Sequence, residues 1–270
     1  MPGQNFDRAA GIYDATRGWP PGVAAQIGAG LYQALAPFAQ PGQRLRVIEA
    51  GAGTGRVLLP LAEAGAWTTG VDISAGMLGV LREKAAAANR SDAVRVVRGD
   101  ASRLPFAAAS FDAGLVVHVL HLVDAWPPVL AEIERIVRPG GALAFGRDEH
   151  DDQGETWLDT QWTARLAEAG WAPQERSRSA ITTDAAKLLA AAGYTMREMV
   201  LATWTTERTP ESYLRTLRDR CFSSTWNVPD AVLQPAVARL TEDILDHYGR
   251  LDLALPRHNQ FRLILLQRPG

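Results

Sequence analysis

The apolar residues Val23, Ile27, Leu31, Leu35 and Phe38 recur at helical spacing and predict a helix over 23–38. Pro20 and Pro21 precede it and Pro41-Gly42 closes it. The period then changes. Leu45 to Ile48 reads as a short strand that runs into Glu49-Ala50-Gly51-Ala52-Gly53-Thr54-Gly55, and Val57, Leu58, Leu61 and Ala62 begin the next helical stretch. Thr68–Ile73 reads as a strand, Ser74–Ala88 as a helix capped by Ser74, and Val94–Arg98 and Ala113–Val119 as strands. The last of these is almost continuously apolar, as a strand buried on both faces should be. Asp124 is placed to cap a helix with Pro127 and Pro128 in its first turn. Leu130, Ile133 and Val137 line one face of that helix, Pro139-Gly140-Gly141 should end it, and Ala142–Gly146 follows as the fifth strand.

Beyond Arg147 the alternation loosens. Residues 148–179 are acidic, then tryptophan-bearing (Trp157, Trp162, Trp171), then rich in Arg and Ser. Thr182–Ala192 reads as a helix closed by Gly193, Met196–Thr206 and Phe261–Gln267 as two late strands, and Pro210–His258 as mostly helical. Five strand–helix alternations followed by two late strands predict an α/β fold. It should be a Rossmann-like, doubly wound, mostly parallel seven-stranded sheet, with a helical cap from the N-terminus and the C-terminal inserts. The expected organisation is a single domain over 1–270. It divides into an N-terminal helical lid (1–42), a core (43–147), a late strand with helical cap inserts (148–258) and a last strand (259–270).

Composition narrows the function. A chain of 270 residues with 47% hydrophobic and 21% charged residues can bury a substantial core. Its net charge of −2 provides no basic field, which argues against a nucleic-acid partner. One cysteine, Cys221, allows neither an internal disulfide nor a cysteine-built zinc site. The polar start at Met1–Arg8 and the absence of a long apolar run point to a cytoplasmic protein without membrane insertion.

The chemistry gathers at predicted strand ends. A strand that ends in glycines before a helix brings backbone close to a ligand at the helix N-terminus. The spacing here is G-x-G-x-G, and Arg56 stands where a dinucleotide fingerprint would carry its third glycine. Asp72, at the end of the second strand, can accept both hydroxyls of a ribose. Asp100, at the end of the third, can accept from the exocyclic amine of an adenine; it is also a residue type that forms turns. A glycine turn and two carboxylates around one crevice suit a nucleoside without phosphates.

With Phe6-Asp7-Arg8, Tyr13-Asp14, Glu49 to Gly55, Val71-Asp72-Ile73-Ser74, Gly99-Asp100-Ala101, Phe111-Asp112 leading to Leu120-His121, and Arg138-Pro139-Gly140-Gly141, the sequence resembles a known family. It is similar to the class I S-adenosylmethionine-dependent methyltransferases, in particular the ubiquinone-methyltransferase-like (type 11/25) group, over Phe6 to Gly146. The resemblance implies that Gly51, Gly53 and Gly55, with the backbone near Glu49, hold the methionine part of the cofactor. It also implies that Asp72 binds ribose, Ile73 and Met77 flank the adenine, and Asp100 and Ala101 meet its edge. Val117 and His118 would lie beside the methyl donor, and Tyr13 and Arg17 would belong to the N-terminal lid.

Three further readings concern the chemistry around that donor. His121, after the fourth strand, is the candidate general base, with a structural role in the loop as its alternative; His118 reads as pocket wall. Trp157, Trp162, Tyr213 and Trp226 are candidates for a substrate pocket, and each alternatively reads as core. Asp148-Glu149-His150-Asp151-Asp152 reads as a solvated acidic loop rather than a metal site, so no metal is expected. The expected function is methyl transfer to an O, N or C atom of a small molecule by a monomer or homodimer. The alternatives are a protein that binds S-adenosylmethionine without turnover and an NAD(P)-dependent oxidoreductase. The sequence Val116-Val117-His118-Val119 is unlike the Asn/Asp-Pro-Pro-Tyr of amino-methylating families.

Overall fold

The computed structural model describes residues 6–123, 125–151, 153–171 and 178–270. In chain order the elements are α1 (Tyr13–Arg17), α2 (Val23–Leu35), β1 (Arg46–Ala50), α3 (Leu58–Glu63), β2 (Trp67–Asp72), α4 (Ala75–Ala87), β3 (Val94–Arg98) and β4 (Phe111–Val117). They continue with α5 (Trp126–Ile136), β5 (Val137–Asp151), α6 (Gln153–Glu168), α7 (Arg178–Ala191), β6 (Thr195–Arg208), α8 (Pro210–Arg218), α9 (Ser223–Trp226), α10 (Asp230–Tyr248) and β7 (Leu255–Gln267). The strands form one seven-stranded sheet in the order β3-β2-β1-β4-β5-β7-β6. The first five are mutually parallel. β7 runs against β5: Arg268 N–H donates to Gly141 O at 2.8 Å, while Phe261, earlier in β7, packs on Gly146, later in β5.

The chain separates into two compact units, one of residues 1–148, 176–203 and 260–270, the other of 149–175 and 204–259. The core of the first lies on the sheet. β4 is buried along its whole length, and Ile48, Val71, Val116, Leu143 and Phe145 pack with Leu130 and Ile133 of α5 and Leu189 of α7. Each such side chain contributes roughly 1.5–3 kcal/mol by leaving water. α2 buries Val23, Ile27, Leu31 and Leu35, the stripe that predicted it, and its last predicted turn is a 3-10 helix over Ala36–Phe38. The second unit has its own core of Leu158, Trp162, Leu166, Tyr213, Leu214, Leu233, Val237, Leu240 and Ile244.

Ser74 caps α4 as expected, its hydroxyl accepting from Met77 N–H at 3.1 Å. The end of α5 differs from expectation. The helix hands over directly to β5 at Val137, and Pro139-Gly140-Gly141 lies inside that strand. The register steps from Phe111↔Val137 to Ala113↔Ala142, so the proline and glycines form a bulge. The carbonyls at the end of α5 have another partner: Arg268 donates to Glu134 O at 2.6 Å and to Val137 O. Asp124 lies outside the described residues; Ala125 holds the N-cap position of α5. Asp112 is fully buried in β4 and accepts from Arg46 N–H at 2.9 Å and Arg138 Nε at 3.0 Å. Two motifs of the family resemblance thus brace the sheet at the end of β4 opposite to the glycine turn.

Candidate functional site

The parallel strands β1 to β4 end together, and the turn that leaves β1 sets the geometry there. Gly51, Gly53 and Gly55 have φ of +73°, +52° and +73°, which side chains strongly disfavour. A Cβ on Gly51 would run into the Val119 side chain, and one on Gly55 into Leu81. The turn is tied to β2: Gly51 N–H and Ala52 N–H donate to Val71 O at 2.7 and 3.0 Å, and Gly53 N–H donates to Asp72 Oδ2 at 2.9 Å. Asp72 Oδ1 accepts from Ser74 N–H at 2.8 Å. Burial raises the Asp72 carboxyl above its ordinary pKa, opposed by the backbone hydrogen bonds from Ser74, Gly53 and Ile73. A carboxylate has about four acceptor positions, so Asp72 keeps capacity toward a ligand.

A cleft open to solvent lies over these strand ends. Of the expected site residues it brings together Tyr13, Gly51, Gly53, Asp72, Ile73, Met77, Asp100, Ala101, Val117 and His118. Phe6, Val71, Gly99, Val119, Leu122 and Val123 complete the lining. Asp100 lines the cavity, and its Oδ1 makes the turn that was the alternative reading, accepting from Ser102 N–H and Oγ at 2.8 and 2.7 Å.

Arg17, Glu49, Gly55 and His121 are not among the lining residues. The Arg17 guanidinium lies over the Tyr13 ring at 4.7 Å. Glu49 is buried in β1 at 2% exposure, and its Oε2 has no hydrogen-bond partner among the described residues. Burial pushes its carboxyl well above the usual range, against the opposing charge of Arg56. His121 sits on the turn after β4. The imidazole at the cavity wall is that of His118, whose φ of +54° reverses the chain as β4 ends.

The N-terminal segment is stitched to the site by side chains that pattern reading missed. Asp7 Oδ1 accepts from Ser74 Oγ and, at 2.8 Å, from Gly76 N–H, adding a carboxylate to the Ser74 hydroxyl cap of α4. Asp14 accepts from Thr54 Oγ1 of the glycine turn at 2.6 Å and from Lys84 Nζ of α4 at 2.7 Å. Arg56 donates to Arg17 O at 2.6 Å, lies over the Trp19 ring at 4.0 Å and pairs with Asp148. Asp148 also accepts from Trp19 Nε1 at 2.9 Å, and its Oδ2 lies 2.9 Å from His118 Nε2. Burial would raise the Asp148 carboxyl, but the His118 hydrogen bond and the Arg56 charge hold it well below the usual carboxylate range. Asp148 is therefore an ion-paired strand residue and not part of a solvated loop. Its partners lie 30 to 129 positions away, too far for any local pattern to reveal. Asp152 lies outside the described residues, and among those described no cluster of His, Cys, Asp or Glu could hold a metal ion.

The four residues expected in a substrate pocket belong to the second unit. Trp162 and Tyr213 are buried in its core, and the Tyr213 hydroxyl donates to Asp159 Oδ1 at 2.6 Å. Trp157 stacks on His247 with centroids 4.2 Å apart, and Trp226 Nε1 donates to Arg220 O at 2.9 Å. Among the described residues no helix is long and apolar enough to cross a membrane.

Comparison with known proteins points the same way for the sheet region. Residues 48–145 match a family model described as "Methyltransferase domain". The chain is 47% identical over 49 residues to the phthiotriol/phenolphthiotriol dimycocerosates methyltransferase of Mycobacterium leprae, a match covering 18% of each chain. It is 42% identical over 62 residues to the ubiquinone/menaquinone biosynthesis C-methyltransferase UbiE of Paracoccus denitrificans, covering 23% of this chain and 25% of that one. The chain thus spans about a quarter or less of the length of the curated relatives it matches. Among solved structures, the YcgJ protein of Bacillus subtilis superposes with a TM-score of 0.55 at 19% identity, over 90% of this chain and 99% of that one. That likeness establishes the Rossmann-like fold.

Proposed function

We propose that this chain binds S-adenosylmethionine at the ends of β1 to β4 and transfers its methyl group to a small molecule. The observation that carries the reading is the joining of Gly53 and Asp72 by a 2.9 Å hydrogen bond in the wall of one cavity that Asp100 also lines. The residues present fit the donor. The positive-φ turn places Gly51 and Gly53 in the cavity wall, and the spare acceptor capacity of Asp72 suits two ribose hydroxyls. Ile73 and Met77 offer apolar contact for adenine, and Asp100 and Ala101 its polar edge.

When bound, the donor supplies a methyl group on a sulfonium, which an in-line nucleophile can displace. The protein's task is to orient the acceptor and exclude water. Phe6, Tyr13, Val119, Leu122 and Val123 supply apolar wall for that purpose. Of the expected substrate-pocket residues, Trp162 and Tyr213 are packed core of the second unit. A nicotinamide dinucleotide is the poorer fit. Position 56 carries an arginine held over Trp19 and paired with Asp148, not a glycine that would let a helix close on a pyrophosphate. We place the protein in the cytoplasm as a monomer or homodimer without a nucleic-acid partner, on its slight net negative charge and ordinary composition.

The test is release of S-adenosylhomocysteine from S-adenosylmethionine with a panel of small hydroxyl, amine and carbon-acid acceptors. Acceptor-dependent release is expected. Binding of S-adenosylmethionine without release by any acceptor would favour a binding protein without turnover.

A further inference from the structure

His118 lies at the cavity wall with its two ring nitrogens in different situations. Nε2 is 2.9 Å from Asp148 Oδ2. Nδ1 has no hydrogen-bond partner among the described residues. Asp148 is an acceptor on every side, receiving Arg56, Trp19 Nε1 and His118 Nε2. Facing an ionised carboxylate, the imidazole must carry its proton on Nε2, because a lone pair there would be repelled. The backbone N–H of Asp148, 3.3 Å from Nε2, is the weaker and longer contact. The neutral ring therefore leaves its basic lone pair on Nδ1. Arg56 of the glycine turn acts on Asp148, and Tyr13 of α1 feels Asp148 together with Arg56, Arg17 and Glu49. Asp148 supplies a negative partner 2.9 Å from Nε2 for an imidazolium that forms at His118.

Resting on the methyl-donor reading above, we propose that His118 Nδ1 is the proton acceptor of this site, with Asp148 as its positioning residue. The methyl acceptor is then a molecule whose nucleophilic atom carries a removable proton, such as a hydroxyl. In the step, the acceptor atom forms a bond to the methyl carbon while the carbon–sulfur bond breaks and its electron pair stays on sulfur. The proton of the acceptor atom passes to Nδ1, and the resulting imidazolium is held by the Asp148 carboxylate through Nε2–H. The same arrangement accounts for the three donors, Arg56, Trp19 Nε1 and His118 Nε2, around the half-buried Asp148 of β5. It fixes tautomer and ring orientation together.

The experiment is histidine ¹⁵N NMR of the full chain from pH 5 to 9, with and without S-adenosylhomocysteine, with His118→Gln to assign the signal. The neutral His118 ring is expected to be protonated on Nε2 and to shift when S-adenosylhomocysteine is added. In Asp148→Asn the preference for the proton on Nε2 should weaken. In the acceptor panel, His118→Gln should lower kcat at saturating S-adenosylmethionine by about 100-fold or more. A proton on Nδ1, a His118 signal indifferent to S-adenosylhomocysteine, or turnover that survives His118→Gln would overturn the proposal. The wild-type tautomer decides even if Asp148→Asn fails to fold. Failure of the wild type to bind S-adenosylhomocysteine would instead sink the methyl-donor reading, which separates the two.

Discussion

Asp72 Oδ2 accepts the Gly53 N–H at 2.9 Å, so the carboxylate at the end of β2 holds the glycine turn at the end of β1 in place. The residue assigned to the ribose therefore also shapes the cradle beside it. Asp72→Ala should weaken S-adenosylhomocysteine binding by about 10-fold or more, through charge-assisted hydrogen bonds worth about 1.5–3 kcal/mol each. It should also lower the melting temperature, because the Gly53 and Ser74 amides lose their acceptor. Calorimetry and a thermal melt on the same variant check both. Unchanged affinity would remove the ribose role.

Glu49 sets a pH dependence of the opposite sense to an ordinary surface acid. Its folded pKa is raised well above the usual value by burial. Its stabilising contribution is therefore complete below the unfolded value, about 4.3, and is lost as pH rises toward and through the folded one. Glu49→Gln should raise the melting temperature of the ligand-free protein at neutral and alkaline pH and leave it little changed near pH 4. A melt series from pH 4 to 9 decides it. A Gln variant that is less stable at pH 8 would show that the carboxylate is wanted there.

Much of this was legible in the chain because the features concerned are local. The Ser74 cap, the apolar β4 and the glycine turn each have their physical cause within a few residues. The end of α5 was misread because Pro139-Gly140-Gly141 has the chemistry of a helix stop, whereas Arg268, far along the chain, supplies the acceptor-satisfying contacts and lets β5 begin at once. His118 and His121 are indistinguishable by sequence position. The positive φ at His118 and the Asp148 carboxylate thirty residues on separate them, and neither is visible in a pattern of apolar residues. Asp7 and Asp14 stood inside recognised motifs, but their partners at Ser74, Thr54 and Lys84 could only be found in three dimensions.

Asp14 joins α1 to the glycine turn and to α4. Asp14→Ala should increase hydrogen exchange in residues 13–17 while changing global stability by no more than about 1 kcal/mol, since the Lys84 pair is partly exposed. Hydrogen-exchange mass spectrometry reads the local effect. Unaltered exchange in that segment would mean that other contacts hold it.

In the second unit, Tyr213 is 4% exposed and hydrogen-bonded to Asp159. Tyr213→Ala should destabilise by about 3–5 kcal/mol, as for other large aromatic truncations, and Tyr213→Phe by only about 1 kcal/mol. Denaturant melts measure both. A loss of turnover in Tyr213→Ala would then reflect unfolding, whereas a loss in the stable Tyr213→Phe would place the hydroxyl in acceptor recognition.

The most direct test of the central claim is calorimetric titration of the wild-type chain with S-adenosylhomocysteine and, in parallel, with NADH. Saturable one-to-one binding of S-adenosylhomocysteine, with NADH silent at the same concentrations, is the result this account predicts. Binding of NADH with no response to S-adenosylhomocysteine would contradict it.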